Sequence, residues 1–286
     1  MNNLCREGFF LFVIVNVKES GKRKIRKGHT VDKIREYKTS GAEKFYIADI
    51  YDSQTGVNWD EVAAYLGRHS RNVLLDRNIT LPSNCPVRRF QGLKYRNILI
   101  FNTAEMIFRQ MYLAGCRTEC VIYDPFGQYG FLLEKAARFS ARTTVVTDRE
   151  YMYYPVVSSL YSGIGAGVTV TQDRSLLKSD CVIIDTQGTT DTEAPLLFSV
   201  KDNGITPKYA EGLNDLKALC PPYINVIDFL AAVYQFNKDN RTTDARVRIF
   251  SRKNEDVTTT ALAEEMINNI SQHNERILFT KKIIKN

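Results

Sequence analysis

Glu119-Cys-Val-Ile-Tyr-Asp-Pro-Phe-Gly-Gln-Tyr-Gly130 decides the fold, because a short apolar run breaks into a turn with two glycines and then into the helical pattern of Phe131–Phe139. An apolar run of that length bounded by turn residues reads as a strand, and the helix after it opens a βαβ unit. Working outward, the alternation is regular. Strand Asn97–Phe101 and helix Ala104–Leu113 precede it; strand Thr143–Thr147, helix Tyr151–Leu160, strand Val168–Thr171, short helix Arg174–Leu177 and strand Cys181–Ile184 follow. Short apolar strands spaced by helices predict an α/β protein with a mostly parallel sheet covered on both faces.

The flanks are less regular. Toward the N-terminus the pattern predicts strand Phe9–Val17, a polar turn around Gly21, a helix-like Thr30–Tyr37, strand Lys44–Ile50, helix Trp59–Leu66 with Asn58 as N-cap, and a short strand Asn72–Leu75. Pro82 and Pro86 interrupt the rhythm, which makes Thr80–Gly92 the expected domain junction. Toward the C-terminus it predicts strand Leu196–Val200, helices Lys208–Leu219 and Val226–Phe236, strand Val247–Phe250 and helix Ala261–Ile270. The expected organisation is an N-terminal α/β domain over 1–93, a nucleotide-binding domain over 94–205, and C-terminal helices and a strand over 206–286 packing back on the others.

With 286 residues, 44% hydrophobic and 25% charged, the chain reads as a soluble globular protein of one large or two ordinary domains. Its longest apolar run, Phe9–Val15, falls short of the ~20 residues of a bilayer span and lacks signal-peptide features, so no membrane partner is expected. Six cysteines (Cys5, Cys85, Cys116, Cys120, Cys181, Cys220) show no repeated CxxC or paired Cys/His spacing. Neither a disulfide framework nor a metal site is expected, Cys116 and Cys120 included, and a reducing cytoplasm is the expected compartment. Much of the formal charge of +7 is local to Lys18, Lys22, Arg23, Lys24, Arg26 and Lys27, with a lesser group at Lys281, Lys282 and Lys285. The first group lacks interleaved aromatics for base stacking, so it reads as a solvated turn and a nucleic-acid partner is not expected.

The candidate binding residues lie where strands give way to turns. Gly127 and Gly130 occupy the second and third positions of G-x-G-x-x-G, flanked by Phe126 and Gln128, while Pro125 stands at the first. The second glycine lets backbone approach a pyrophosphate and the third lets helix and strand pack closely. Proline's fixed φ and missing donor depart from the pattern at its first position. Asp148, ending the next strand, is placed to accept from ribose hydroxyls, and neighbouring Arg149 suits a 2′-phosphate, so NAD and NADP both stay open. Thr186 and Gly188 follow a third strand, in a polar loop expected at the same sheet edge. Gly163-Ile-Gly-Ala-Gly167 leads into a strand instead of following one and reads as a turn.

Together, Asp124-Pro-Phe-Gly-Gln-Tyr-Gly130, Asp148 and Ile184-Asp-Thr-Gln-Gly188 resemble the NAD(P)-binding Rossmann domains of dehydrogenases over about a quarter of the chain. The resemblance implies a Rossmann-like, doubly wound sheet with an additional N-terminal α/β domain, an NAD or NADP cofactor, and an oxidoreductase acting on a small-molecule substrate. It names no reaction, since a fold does not specify one.

No catalytic acid or base is selected: His29, His69 and His273 lie outside the unit, and nothing distinguishes Lys94, Lys201 or Lys208. The main alternative is an S-adenosylmethionine-dependent methyltransferase, which suits Asp124 at the end of the first strand, although no Asp/Asn-Pro-Pro-Tyr follows Val182–Ile184. A non-catalytic nucleotide-sensing scaffold is the third reading. A homo-oligomer is compatible with all three.

Overall fold

The Glu119–Gly130 stretch supplies the middle strand of an all-parallel sheet. The computed structural model describes residues 12–19, 31–38, 44–52, 56–178, 181–190, 192, 194, 196–201, 203–237, 240–252 and 255–283. The turn around Gly21 with Lys22, Arg23, Lys24, Arg26 and Lys27 lies outside them, as do residues 9–11, Cys5, His29, Thr30, Asp180, Lys285 and the side chains of His273, Lys281 and Lys282.

In chain order the elements are β1 Val13–Glu19, β2 Val31–Lys38, β3 Lys44–Asp52, α1 Trp59–Leu66, β4 Val73–Leu75, α2 Leu93–Leu113, β5 Glu119–Tyr123, α3 Leu133–Ala137, β6 Arg142–Val146, α4 Tyr154–Ile164, β7 Val168–Thr171, β8 Val182–Asp185, β9 Leu196–Ser199, β10 Thr206–Ala210, α5 Asn214–Lys217, α6 Val226–Asn237, β11 Val247–Arg252, β12 Glu255–Thr258 and α7 Thr259–Ile283. They form two compact units, 1–95 with 213–243, and 96–212 with 244–286.

The first unit holds a four-stranded sheet ordered β2-β3-β1-β4, in which β1 runs parallel to β3 and β4 and β2 runs antiparallel to β3. One face packs Val13, Val15, Ala48 and Ile50 against Val62 and Leu66 of α1. The Asn58 side chain accepts from the Glu61 N–H and starts that helix. On the other face Phe12 and Phe45 stack at 5.3 Å, with Phe229 of α6 edge-on to both. Further along this face the lining turns polar. Asp49, 3% exposed, accepts from the Asn16 amide at 2.8 Å and from Arg35 at 3.0 and 3.1 Å, and pairs with Lys18 at 2.9 Å.

The helix expected over Thr30–Tyr37 is instead strand β2 from Val31 onward. A register irregularity between Val31 and Lys33 puts Val31 opposite Ile50 and Ile34 opposite Ala48, so two residues three apart share one face. A bulge of this kind copies helical spacing.

The second unit holds the all-parallel sheet, ordered β7-β6-β5-β8-β9, and a separate antiparallel sheet ordered β10-β11-β12. The last four residues of β5 and all of β8 are buried, as a sheet covered on both faces requires. One face gathers Val121, Tyr123, Val146, Ile183 and Leu197, while on the other Phe198 meets Phe250 of β11 at 5.5 Å.

Two further expectations are corrected here. The strand Asn97–Phe101 and helix Ala104–Leu113 are the single helix α2, because a short apolar run does not distinguish a strand from a buried helical turn. Between the two segments, the polar pair Asn102-Thr103 is spent inside: the Thr103 hydroxyl donates to the Leu99 carbonyl and accepts from the Val247 N–H, and Asn102 donates to the Ala245 carbonyl. The helix expected over Lys208–Leu219 divides into β10 and α5, broken where Gly212 and Leu213 adopt φ of 71° and 55°.

Burial alone raises the Asp49 pKa, but Asn16, Lys18 and Arg35 outweigh it and hold the carboxyl below its ordinary value. The unfolded chain therefore takes up a proton first, and this contribution is full above the unfolded pKa of about 3.9 and disappears as pH falls through the lower folded value. Asp49→Ala is expected to cost about 1–3 kcal/mol in urea unfolding at neutral pH. Its stability should also decline less steeply than wild type below about pH 4.

Candidate functional site

The carboxyl ends of β5, β6 and β8 bring three loops together, and these hold all eight predicted site residues. In the first, Gly127 is buried with φ of 65° and donates its N–H to the Asp124 carbonyl at 3.1 Å. A Cβ there would sit 3.0 Å from Met152 Cβ and 3.3 Å from Arg149 Cβ. The glycine is thus required by the neighbouring loop, which fills the space over it. Gly130 opens a 3-10 turn, Gly130–Leu132, ahead of α3, and faces Val156 and Tyr153; Phe126 and Gln128 are exposed.

Asp124 is 0% exposed. One carboxylate oxygen accepts from the Tyr129 N–H at 2.8 Å and the Tyr153 hydroxyl at 2.6 Å; the other is buried without a hydrogen-bond partner among the described residues. Burial, then the Asp124 charge, drives the Tyr153 phenol far above its usual range. Burial also raises Tyr129, against a hydrogen bond from Asn97 and with Asp124 adding to the rise. Both phenols stay neutral, and that of Tyr153 is a fixed donor to Asp124.

In the second loop Asp148 is exposed, its N–H bound to the Pro125 carbonyl at 3.3 Å. Its carboxylate accepts from Arg174 at 2.9 and 3.0 Å, and the Arg174 guanidinium lies 5.7 Å from the Tyr123 ring centroid. The hydrogen bond to Asp148 raises the Arg174 pKa. Arg149 is exposed and donates its backbone N–H to the Thr147 hydroxyl. Arg174 at Asp148 was not singled out from the sequence; its only signal was a cation three residues past the next strand.

The third loop winds around Asp185. One oxygen accepts from the N–H groups of Gln187 and Gly188, each at 2.9 Å, and the other from Thr189 and Thr190 at 2.7 and 2.6 Å. Thr186 is fully buried and turns both its N–H and its hydroxyl to the Tyr123 carbonyl. Gly188, φ 67°, is pressed against the Lys201 side chain. The sequence showed Asp185 only as the residue after a strand, since four-fold capping by the following amides depends on loop conformation.

The fit to a dinucleotide is therefore divided. Asp148, exposed at the end of the strand beside β5, suits an adenosine ribose. The Gly127 turn does not fit a pyrophosphate as the pattern requires, because Met152 and Arg149 cover the glycine and a buried carboxylate takes the Tyr129 amide. The amides of Gln187, Gly188, Thr189 and Thr190 are likewise given to Asp185.

Among the described residues, no group of three or more His, Cys, Asp or Glu side chains is placed to hold a metal, and no helix is long and apolar enough to cross a membrane. A pocket lined by Arg71, Asn72, Cys85, Pro86 and Arg88 belongs to the first unit and includes none of the predicted site residues.

No family model matches the chain, and no curated protein matches it. Among solved structures it is similar to L-tryptophan dehydrogenase from Nostoc punctiforme, at 9% identity and a TM-score of 0.31, over 79% of this chain and 68% of that one. Likeness at that score bears on neither substrate nor reaction.

Replacing Asp185 with alanine strips four amides of their acceptor and is expected to destabilise the protein by about 2–4 kcal/mol. Hydrogen exchange should show protection lost at Gln187, Gly188, Thr189 and Thr190. Unchanged protection there would remove Asp185 as the organiser of the loop.

Proposed function

We propose that the second unit is a Rossmann-like, doubly wound domain that binds a nucleotide cofactor by its adenosine, in an NAD(P)-dependent oxidoreductase of unassigned substrate. One observation carries the reading: in the order β7-β6-β5-β8-β9 the chain reverses direction at β5, and an exposed carboxylate, Asp148, follows the strand beside it. Sheets of this order bind ligands at the carboxyl edge of the reversal point, with an acid after the second strand on the ribose.

Asp148 is engaged by Arg174, but both side chains are more than half exposed, at 54% and 57%. Such a pair contributes only about 0–1 kcal/mol, so ribose hydroxyls compete for the carboxylate. NAD offers Asp148 its 2′-hydroxyl, whereas in NADP that position is a phosphate, which Arg149 and Arg174 would meet, so the reading keeps both cofactors.

Asp124 favours a second reading, an S-adenosylmethionine-dependent methyltransferase-like protein. A buried carboxylate with an unpartnered oxygen opposes a pyrophosphate but tolerates a cationic sulfonium or amine. Both readings share the adenosine end at Asp148.

Thermal-shift titration with NAD, NADP and S-adenosylmethionine tests this. A bound cofactor at about 100 times its dissociation constant adds about 2.7 kcal/mol to stability. One of the three is expected to shift the transition, and Asp148→Ala should weaken it by at least about 10-fold through lost ribose hydrogen bonds. A response to S-adenosylmethionine alone would sink the oxidoreductase reading. No response to any of the three would sink the cofactor site and leave a non-catalytic scaffold.

A further inference from the structure

Tyr151 to Gln172 contains no Asp, Glu, Lys, Arg or His, in a chain of which a quarter is charged. These 22 residues hold the end of the second site loop, helix α4 and strand β7, and only Tyr153 and Leu160 among them are buried. A solvent-facing helix ordinarily carries charge on its outer face. In α4 the outward residues are instead Tyr154, Pro155, Tyr161 and Ile164, with serines and a glycine between them. Tyr161 is 70% exposed.

The strand that follows has the same character. Among the described residues β7 is an edge of the parallel sheet, and it pairs with β6 in unbroken register. Edge strands are normally kept from pairing with other chains by charged residues, proline or a bulge. Val-Thr-Val-Thr, with Thr169 exposed, has none of these.

We infer that α4 and β7 form a two-fold interface between two copies of this chain, in which the β7 strands pair antiparallel and the α4 helices pack beside them. Three features select a second copy as the occupant. An unpaired strand edge is self-complementary about a two-fold axis, where each strand offers its partner the donors and acceptors it lacks. Two chains of net charge +7 repel, and a segment that contributes no charge of its own is where they approach at least cost. The segment is also of a suitable size: a standard interface takes about 20–30 residues from each side, and 20 of these 22 residues are short of full burial. Tyrosine is enriched in such interfaces because it buries a large ring while its hydroxyl keeps a polar partner. A membrane-surface helix would instead set basic residues beside its apolar ones, and α4 has none.

Sedimentation velocity on the full chain tests this at about 100 μM, above the micromolar upper end for standard-size interfaces. Wild type is expected at twice the chain mass. Tyr161→Lys and Thr169→Lys, both exposed and so compatible with folding, should each weaken the dimer by about 10- to 100-fold by setting like charges face to face. Hydrogen exchange in wild type should show Val168–Thr171 amides gaining protection with protein concentration. A monomer at 100 μM, a dimer that both lysines leave intact, or an open-ended assembly overturns the inference. None of these outcomes depends on whether a cofactor binds.

Discussion

The second unit depends on β5 being paired on both edges, with β6 on one side and β8 on the other. A parallel strand so enclosed has its backbone hydrogen bonds satisfied laterally and its side chains buried above and below. Polar function is therefore pushed to its carboxyl end. Everything distinctive about the candidate site follows that end. Tyr123 gives its carbonyl to Thr186, Asp124 turns back into the fold, and Pro125 and Gly127 carry the chain over to meet the loop of the next strand.

Two buried carboxylates make that edge unlike a simple phosphate cradle. Asp124 holds Tyr129 and Tyr153, and Asp185 collects four successive amides. An aspartate surrounded by N–H groups does internally what a bound anion does at such loops. The geometry still leaves an exposed acid at Asp148.

Much of this was legible in advance where local pattern and tertiary environment agree. β5 and β7 fall where the apolar runs predicted, and α1 starts at Asn58, because burial on both faces leaves its mark as uninterrupted apolar runs and capping is a local interaction. Legibility failed where one local signal serves two structures. The Ile98–Phe101 run is helical, the bulge in β2 gives a strand helical spacing, and Gly212 and Leu213 divide a segment that otherwise reads as one helix.

By itself, then, the sequence determined the α/β alternation around β5 and placed the strands of that sheet to within a residue, since both are set by neighbours a few positions away. Only the tertiary structure decided what those residues face. Asp148 meets Arg174, Gly127 is covered by Met152, and Thr186 is buried, because each contact joins chain segments that no local spacing relates. The same holds for the uncharged run from Tyr151 to Gln172. Its composition is plain in the sequence, but its exposure is a property of the fold, in which β7 lies at the edge of the sheet.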